Sequence, residues 1–339
     1  MVRFGMYYNK KEIGIGLIGF GTVGSSVARI INRMAPEFKL NTGRRVHVEA
    51  ALVNNMHKKR EYKPESIFFT DSADAFFNRR GVDLIVENMG GTDIAFSYIT
   101  RALQSGRAVV TANKALLASH GKRVAALAQQ NQMPFAFEAA VAGGLPIINA
   151  LRVGLAANAI QEIEGIINGS TNYILSQMHD KGIALETAMQ QATELGYLEA
   201  DPTLDVSGQD AAQKLIIMAA IAFGRFFDER DVSTTGILSL PLAHIKRAKE
   251  QRNVIKLVAK ATKKGDDIKL QVAPQELRAS HWLAQISGEL NGIIVRADNV
   301  PTSFYAGPGA GGLPTGSAIV SDIFRLICDS TYTPFGFQA

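Results

Sequence analysis

Residues 13–24 read IGIGLIGFGTVG and determine how the first half of this 339-residue chain folds. The first six residues form a short apolar run of the kind found in buried parallel strands. Three glycines follow, Gly19, Gly21 and Gly24, and residues 25–34 then have the composition of a helix. A strand, the pattern G-x-G-x-x-G and a helix, in this order, form the context in which that glycine pattern binds a dinucleotide.

Each glycine has its own purpose in such a loop. Gly19 permits the tight turn, Gly21 lets a pyrophosphate approach the backbone, and Gly24 allows the helix to pack closely on the strand. The N-terminus of the helix then stabilises the phosphate charge. A glycine-rich turn without a ligand is the alternative, but the flanking strand and helix favour a cofactor site. The candidate cofactor-binding residues are those of the whole loop: Gly19, Phe20, Gly21, Thr22, Val23 and Gly24.

The next predicted strand, residues 46–54, indicates which dinucleotide binds. In an NAD site an Asp or Glu at the end of this strand commonly binds the ribose 2′-hydroxyl. Here the strand ends at two asparagines, and residues 58–60 are Lys-Lys-Arg. These cations favour a 2′-phosphate, and hence NADP over NAD, although a solvated basic turn has the same composition. Residues 36–45, which precede the strand, are predicted to form an inserted loop.

Three further strands are predicted at residues 82–87, 108–111 and 134–138, with helical spacing between them. Alternating strands and helices predict an open parallel sheet, and hence an α/β fold. Ligands bind such sheets beyond the carboxyl ends of the strands. One residue at these strand ends is a lysine, Lys114, and the alternative interpretation is that it is only an exposed loop residue. The polar residues at these ends are the candidate site residues Thr92, Lys114 and Glu138.

Residues 196–214, GYLEADPTLDVSGQDAAQK, place four carboxylates near one lysine. Residues 211–223 are almost entirely apolar and predict a buried helix. Asp210 and Lys214 are four residues apart, so they share one face of that helix. A lysine paired with an aspartate at the start of a buried helix is a candidate proton-transfer group. The alternatives are a Ser-x-x-Asp capping box that begins at Ser207, and an ordinary surface ion pair.

The rest of the second half predicts a mixed α and β domain. A strand at residues 160–168 is followed by a capping loop and a helix at residues 173–178. Residues 253–261 and 267–272 are separated by a Thr-Lys-Lys-Gly-Asp turn, which is typical of a hairpin. Another strand follows, and we predict a second sheet. Residues 307–312 form a glycine-rich loop before a helix, which either approaches a ligand closely or serves as a hinge.

Composition limits the class of protein. Hydrophobic residues make up 47% and charged residues 20%, as in ordinary globular proteins, and 339 residues allow about two domains. The net charge of +5 comes without a basic block, and no apolar run approaches ~20 residues, so neither nucleic acid nor a membrane is expected as a partner. No signal peptide or zinc pattern is visible. The single Cys328 is typical of a reducing compartment, so we expect a cytoplasmic protein.

Seven segments, in this order, resemble the blocks of the homoserine dehydrogenase family. They are GFGTVG, ENMGGTD, VTANKALLA, FEAAVAGGLPII, EGIINGSTNYIL, GYLEADPTLDVSGQDAAQKL and GPGAGGLPTGSAIVSDI, and the last three are highly specific. The resemblance implies NAD(P)-dependent interconversion of L-homoserine and L-aspartate 4-semialdehyde in amino-acid biosynthesis. It also implies a Rossmann-type dinucleotide-binding domain (residues 1–150), an α+β substrate and dimerisation domain (151–305), and a C-terminal segment (306–339) that returns to the first domain of a homodimer.

The resemblance further implies roles for individual residues in the chemistry. Lys214 corresponds to the proton-transfer lysine, with Asp210 beside it. Lys114 corresponds to a lysine close to both cofactor and substrate. Glu199 corresponds to the carboxylate that binds the substrate ammonium, with Asp205 and Asp210 nearby.

A monovalent cation and a second glycine loop are also implied. Glu138 corresponds to the side-chain ligand of a sodium-like cation, and an oxygen-only ligand set suits a hard cation. The remaining cation ligands are backbone carbonyls, those of Val141, Gly143 and Leu145. Gly309 and Gly311 correspond to a loop that meets cofactor and substrate.

Departures from the family pattern are small. Ser170 stands where Thr is more usual, and Trp282 stands where Pro is more usual. The printed sequence ends at Ala339, and we expect neither a regulatory ACT domain nor feedback inhibition through one. Another two-domain amino-acid dehydrogenase and a catalytically silent NADP-binding regulator remain alternatives. Aspartate-semialdehyde dehydrogenase needs a cysteine nucleophile, and Cys328 lies away from every motif.

Overall fold

The chain forms two compact units in a computed structural model that describes residues 10–199 and 201–329. The first unit contains the described residues up to Ile148 together with those from Gly311 onward. The second unit is Asn149–Ala310. No helix within the described ranges has the length and apolar character needed to cross a membrane.

The first unit alternates strands with helices. Its elements are β1 (Glu12–Ile18), α1 (Thr22–Arg33), α2 (Ala35–Thr42), β2 (Arg45–Leu52), β3 (Phe68–Thr70), α3 (Ala73–Phe77), β4 (Val82–Glu87), α4 (Asp93–Gln104), β5 (Ala108–Thr111), α5 (Lys114–Gln130), β6 (Phe135–Ala136), the start of the short α6 (Ile147–Asn149), and the C-terminal α12 (Gly312–Cys328). The strands pair in the order β3-β2-β1-β4-β5-β6, all parallel. This order is that of a doubly wound dinucleotide-binding fold, and it confirms the predicted fold class.

Both faces of the parallel sheet are covered. Residues 13–18 of β1, which alternate between the two faces of the sheet, are all buried, as expected for a central parallel strand. Ile319 and Ile323 of α12 belong to the same apolar cluster. The C-terminal helix therefore completes the core around the strand that leads into the glycine loop.

The predicted loop at residues 36–45 is wrong, because most of it is helix α2. Pro36 lies in the first turn, where the missing N–H is tolerated, and Gly43 ends the helix at a φ of +71°. Phe38 is buried and its ring lies 5.6 Å from the ring of Phe324. Tertiary packing therefore stabilises a segment whose composition alone looked irregular.

The second unit combines a mixed sheet with helices. Its elements are a π-helical turn (Ala150–Gly154), β7 (Ile160–Ile166), α7 (Gly169–Lys181), α8 (Leu185–Glu194), α9 (Thr203–Val206), α10 (Gln209–Phe223), β8 (Val232–Thr234), α11 (Leu242–Glu250), β9 (Asn253–Lys264), β10 (Asp267–Arg278), β11 (Leu290–Ala297) and β12 (Ser303–Pro308). The strand order is β12-β11-β7-β9-β10-β8, antiparallel except for β10 with β8. The predicted second sheet and the β9–β10 hairpin are confirmed.

Two predicted elements differ from the observed ones at their ends. Helix α7 begins at Gly169, so residues 169–172 form its first turn and are not a loop. The predicted glycine-rich loop at residues 307–312 begins inside β12, where Pro308 is tolerated because β12 is an edge strand.

A buried lysine fixes α7 on the sheet. Lys256 of β9 is only 3% exposed. Its ammonium donates to the side-chain oxygens of Asn172 (2.9 Å) and Ser176 (3.2 Å) and to the backbone oxygen of Ile286 (2.7 Å). Burial lowers the pKa of Lys256 to about 8. Three acceptors match the three donors of the ammonium, so the position of α7 is well determined.

Candidate active site

The glycine loop after β1 has the tight geometry that its sequence predicts. Gly19 has a φ of +96°, and a Cβ there would lie 2.6 Å from the side chain of Asn88. A Cβ on Gly24 would overlap the carbonyl oxygen of Gly19. Oriented so that its donors meet acceptors, the Asn88 amide donates to the carbonyls of Ile18 and Gly19 and accepts from the N–H of Gly24. The Asn88 side chain therefore holds both ends of the loop, at Gly19 and at Gly24.

The middle of the same loop is open. No atom of the described residues lies within 4 Å of a Cβ built on Gly21. Helix α1 begins at Thr22 without a side-chain cap and without an acidic residue in its first turn. The N–H groups of its first turn and the positive end of its dipole suit the pyrophosphate of a dinucleotide. The ring of Phe20 packs in the core 4.9 Å from the ring of Phe69, so only its backbone is available to a ligand.

The start of α12 lies against the start of α1. A Cβ on Gly312 would lie 2.8 Å from Ser26 Oγ and 2.9 Å from Thr22 Cγ2. Gly311 has a φ of +111° and precedes a helix start that also has neither a side-chain cap nor an acid in its first turn. Two uncapped helix N-termini therefore lie side by side, which strengthens the case for an anionic ligand here.

The turn after β2 keeps its basic character in the structure. Asn55 Oδ1 accepts from the backbone N–H groups of His57 and Lys58. The guanidinium of Arg60 donates to the carbonyl oxygens of Asn55 (2.8 Å) and Lys58 (2.9 Å). Lys58 and Lys59 are exposed. The turn is thus ordered by its own hydrogen bonds, with two lysine side chains at its surface.

A buried carboxyl group connects the ends of β4 and β5. Glu87 is fully buried and accepts from Thr111 Oγ1 (2.5 Å) and from the backbone N–H of Met89 (2.9 Å). Thr111 Oγ1 accepts from the N–H of Asn113, and Asn113 Nδ2 donates to the carbonyl of Gly91 (2.7 Å). The loops after both strands are therefore coupled through one network. Sequence reasoning gave Glu87 no role.

The carboxyl end of the sheet also carries Thr92 and Lys114. Thr92 precedes α4 without capping it through its side chain. Lys114 is the first residue of α5, and Asn113 caps that helix by accepting from the N–H of Leu116. A cation at a helix N-terminus opposes the helix dipole. Lys114 therefore adds nothing to the stability of α5 through that dipole, and its charge lies at the sheet edge where such folds bind their ligands.

Glu87→Gln is expected to flatten the pH dependence of stability. Burial raises the pKa of Glu87 from its ordinary 4.5 to about 7. Between these values the folded state binds the extra proton, so the free energy of unfolding falls as pH rises through this window. Glutamine has no such proton to lose. Urea unfolding at several pH values should show the slope in the parent protein and its loss in the variant.

The control for this prediction is Glu65→Gln, since Glu65 is exposed. Both variants remove one carboxylate from the first unit. The free energy of unfolding is plotted against pH for the Glu87 variant and the parent. Plots that stay parallel from about pH 5 to 8 would contradict the assignment of this pH dependence to Glu87.

The predicted cation loop combines two buried carboxyl groups. Glu138 Oε1 accepts from the N–H of Ile148 (2.8 Å), and the Glu138 N–H donates to Asp322 Oδ2 (2.7 Å). Asp322 is 1% exposed, and its Oδ1 has no hydrogen-bond partner among the described residues. Burial, with the nearby Glu138 charge as a second cause, raises the pKa of Asp322 well above its usual range. A proton or a cation would relieve the cost of two such buried carboxyl groups.

The backbone of this loop also suits a cation. Val141, Gly143 and Leu145 are all buried, and Ala142 adopts a φ of +49° that turns the chain between them. Among the described residues no group of three or more His, Cys, Asp or Glu side chains could hold a metal. The ligand set expected for a monovalent cation here is backbone carbonyls with one carboxylate. That set stays a prediction.

The second unit brings Lys214 and Asp210 together at the start of α10. Lys214 Nζ donates to Asp210 Oδ2 (2.7 Å) and to the carbonyl of Ile167 (2.8 Å). The Lys214 side chain is 13% exposed and that of Asp210 is 8% exposed. The surface-pair interpretation is therefore wrong, because both groups are largely removed from water. A lysine held by two acceptors and still partly accessible can exchange a proton with a bound ligand.

The capping-box interpretation is also wrong. Helix α10 has Gly208 as its N-cap, at a φ of +86°, and no side chain caps it. Ser207 lies one residue outside the helix end that it was expected to cap. Asp210 instead accepts from Asn168 Nδ2 (2.8 Å), and Asn168 Nδ2 also donates to Asp205 Oδ1 (2.5 Å). Asn168 was not among the predicted site residues.

Two further predicted residues, Glu199 and Gly309, lie in the second unit. Glu199 is exposed, and no hydrogen bond or ion pair joins it to another of the described residues. Its segment is anchored two residues away, where Ser170 Oγ donates to the carbonyl of Tyr197 (2.6 Å). Gly309 packs on a buried amide, since a Cβ there would overlap Asn291 Oδ1. Both amide atoms of Asn291 are buried, and neither has a hydrogen-bond partner within residues 10–199 and 201–329.

Comparison with known proteins covers both units. The family model described as "Homoserine dehydrogenase, NAD binding domain" matches residues 19–138, and that described as "Homoserine dehydrogenase" matches residues 146–324. The homoserine dehydrogenase of Neisseria gonorrhoeae is 43% identical over 316 residues, which cover 93% of this chain and 72% of that protein. That of Corynebacterium glutamicum is 40% identical over 317 residues, covering 92% and 71%.

Solved structures of homoserine dehydrogenases are also similar to this chain. A homoserine dehydrogenase from Thiobacillus denitrificans matches with a TM-score of 0.92 at 38% identity, over 96% of this chain and 78% of that one. A hyperthermophilic archaeal homoserine dehydrogenase mutant in complex with NADPH matches with a TM-score of 0.78 at 26% identity, over 93% and 97%. The similarity therefore includes the unit that carries Lys214 as well as the nucleotide-binding fold.

Proposed function

The chain belongs to the homoserine dehydrogenase family, and on that premise we propose that it interconverts L-homoserine and L-aspartate 4-semialdehyde with NADP as its preferred cofactor. The resemblance found in the sequence is thereby confirmed. The observation that carries the proposal is the largely buried cluster of Lys214, Asp210 and Asn168, built from two segments that match the family.

We propose that the second unit binds the amino acid. Glu199 supplies an exposed carboxylate for the substrate ammonium, and Asp205 lies beside the cluster at the start of α10. The neutral amine of Lys214 takes the hydroxyl proton when homoserine is oxidised, and its ammonium form gives a proton to the developing alkoxide when the aldehyde is reduced. Asp210 and the Ile167 carbonyl orient that ammonium. Such a positioned proton donor contributes roughly 10²–10⁴-fold to rate.

We propose that the first unit holds the cofactor. The open position at Gly21 and the uncapped start of α1 bind its pyrophosphate. Thr92 and Lys114, at the carboxyl ends of β4 and β5, contact its nicotinamide half or the substrate, and we assign Gly309 and Gly311 contacts to cofactor and substrate as well. A nicotinamide cofactor held by these residues would supply the hydride acceptor for oxidation at C4 of homoserine and the hydride donor for the reverse reaction.

The experiment that tests the function is cofactor reduction by the purified protein. NADP⁺ and NAD⁺ are compared with L-homoserine, L-serine and L-threonine as substrates. Reduction that depends on L-homoserine supports the proposal. Reduction with another amino acid alone would indicate a different dehydrogenase, and cofactor binding without any reduction would indicate a silent regulator.

Removing the two exposed lysines after β2 is expected to lower the preference for NADP. In the double variant Lys58→Ala/Lys59→Ala the KM for NADP⁺ should rise about three- to tenfold, because charge-assisted contacts to the 2′-phosphate are lost. NAD⁺ lacks that phosphate, so its KM should not change. Steady-state kinetics with both cofactors measure this, and an equal rise for both would contradict a role for the turn in selectivity.

We propose that Glu138 and the carbonyls of Val141, Gly143 and Leu145 bind a monovalent cation. Glu138 is buried beside Asp322, whose Oδ1 meets no hydrogen-bond partner in the part of the chain that the structure describes, and this supports the site. Replacing sodium with tetramethylammonium at constant ionic strength should lower the melting temperature, because a bound cation stabilises the folded state by mass action. Glu138→Gln should remove the difference between the two salts. Identical melting in both salts for the parent protein would contradict the site.

We also propose a homodimer formed through the second unit. Trp282 and Phe304 support this, since their rings lie 5.4 Å apart and they are 48% and 38% exposed. Light scattering over a range of concentrations tests the assembly. The cytoplasmic location expected from the sequence stays a prediction.

A further inference from the structure

We propose that Asn168 is a positioning residue for the reaction, one whose amide bridges Asp205 and Asp210 and thereby holds Asp210 in place as the acceptor for Lys214. This inference rests on the proposed function of Lys214. Asn168 lies between β7 and α7 and is 4% exposed. Its side chain touches two carboxylates that come from two other helices, so one amide connects three elements of the second unit.

All the hydrogen-bonding groups of the Asn168 side chain are used. Nδ2 donates to Asp205 Oδ1 (2.5 Å) and to Asp210 Oδ2 (2.8 Å). Oδ1 accepts from the backbone N–H (2.8 Å) and from Oγ1 (2.7 Å) of Thr171. The opposite amide orientation would place Oδ1 against two carboxylates and Nδ2 against a backbone N–H, so the contacts determine the orientation.

The amide stands where two negative charges converge. Asp205 from α9 and Asp210 from α10 both accept a hydrogen bond from the Asn168 amide. Lys214 donates to Asp210 and is thereby connected to Asn168. Each carboxylate receives one N–H from a neutral group, which reduces the repulsion between them without neutralising either. Asp210 therefore remains an acceptor for Lys214, and the adjacent Ile167 carbonyl supplies the second contact to the same ammonium.

A purely structural role makes a different prediction. Asn168 is the N-cap of α7 through Oδ1. Asp is about as good an N-cap as Asn, so Asn168→Asp keeps the acceptor for Thr171. The change removes only the two donors and introduces a third carboxyl group beside Asp205 and Asp210. This variant therefore separates the positioning role from the helix cap.

The test is steady-state kinetics of Asn168→Asp over a range of pH. We expect kcat near pH 8 to fall at least tenfold, the KM for homoserine to rise, and NADP affinity to stay within about twofold. The loss should shrink at acidic pH, where a protonated carboxyl group at position 168 can donate one hydrogen bond again. Asn168→Ser, which replaces the two N–H donors by a single hydroxyl on a shorter, uncharged side chain, should also lower kcat but with a loss that does not depend on pH.

Thr171→Val is the matched control. It removes the Oγ1 donor to Asn168 but keeps the backbone N–H and the side-chain shape. We expect a lower melting temperature with kcat within about twofold of the parent. If Asn168→Asp has the kcat, KM and pH profile of the parent protein, or if Thr171→Val loses as much activity as Asn168→Asp, the positioning role is wrong.

A second measurement needs no substrate. The melting temperature of Asn168→Asp relative to the parent should fall as pH rises from about 5 to 8, because three converging carboxylates repel when ionised. If the two melting temperatures diverge with pH in this way but the parent protein shows no homoserine-dependent activity, the proposed function is refuted and the geometry around Asn168 stands. A difference that does not change with pH would contradict the geometry itself.

Discussion

Lys214→Ala is expected to abolish turnover in both directions while the protein still folds and binds NADP. General acid–base groups contribute roughly 10²–10⁴-fold to rate, and alanine leaves no ammonium at the position that Asp210 and the Ile167 carbonyl define. We therefore expect kcat to fall at least a thousandfold. NADP affinity should stay within about twofold, because the glycine loop and α1 belong to the first unit.

Stability must be measured alongside activity in this variant. Removing Lys214 takes one donor away from the buried Asp210, which keeps its hydrogen bond from Asn168. A buried acceptor that loses one donor costs roughly 1–3 kcal/mol. Lys214→Arg keeps the charge near Asp210, yet its planar, permanently protonated group cannot exchange a proton, so it should fold better and remain inactive.

The control is Lys246→Ala, which removes an exposed lysine from α11 in the same unit. It should match the parent in kcat and melting temperature. Homoserine-dependent kcat in Lys214→Ala within tenfold of the parent would show that another group handles the proton. Loss of NADP binding in the same variant would show that the change acts on folding and not on chemistry.

The first unit could be predicted from sequence because its signals are local. The apolar β1 run and the glycines at 19, 21 and 24 lie within twelve residues, and each requires a backbone feature that the structure shows. Helix α2 was missed for the opposite reason. Its buried residue is Phe38, which packs on Phe324, and these two residues are far apart in the sequence.

The candidate site was predictable only where one segment carries it. Asp210 and Lys214 are one helical turn apart, so their pairing follows from spacing. Asn168 lies 42 residues before Asp210, and no periodicity links them. Glu87 was missed for the same reason, since Thr111 lies 24 residues away. A polar residue at the end of an apolar strand is the one local signal that Asn168 and Glu87 share.

Gly21→Ala is expected to weaken NADP binding about a hundredfold, or about 3 kcal/mol, without affecting the fold. Gly21 has a φ of −89° and a ψ of −150°, an extended conformation open to alanine, and a Cβ there meets no atom of the described chain within 4 Å. The methyl group would therefore be tolerated by the protein and would lie in the space proposed for the pyrophosphate. It would also displace the ligand from the N–H groups at the start of α1.

Gly154→Ala is the control, because its Cβ also meets none of the atoms that the structure describes within 4 Å and it lies in the second unit. Titration calorimetry measures NADP affinity, and thermal unfolding measures stability. We expect both variants to melt within about two degrees of the parent, and only Gly21→Ala to lose affinity. Unchanged affinity in Gly21→Ala would mean that the dinucleotide does not pass this glycine. A large drop in its melting temperature would mean that the loop packs more tightly than the open position at Gly21 indicates.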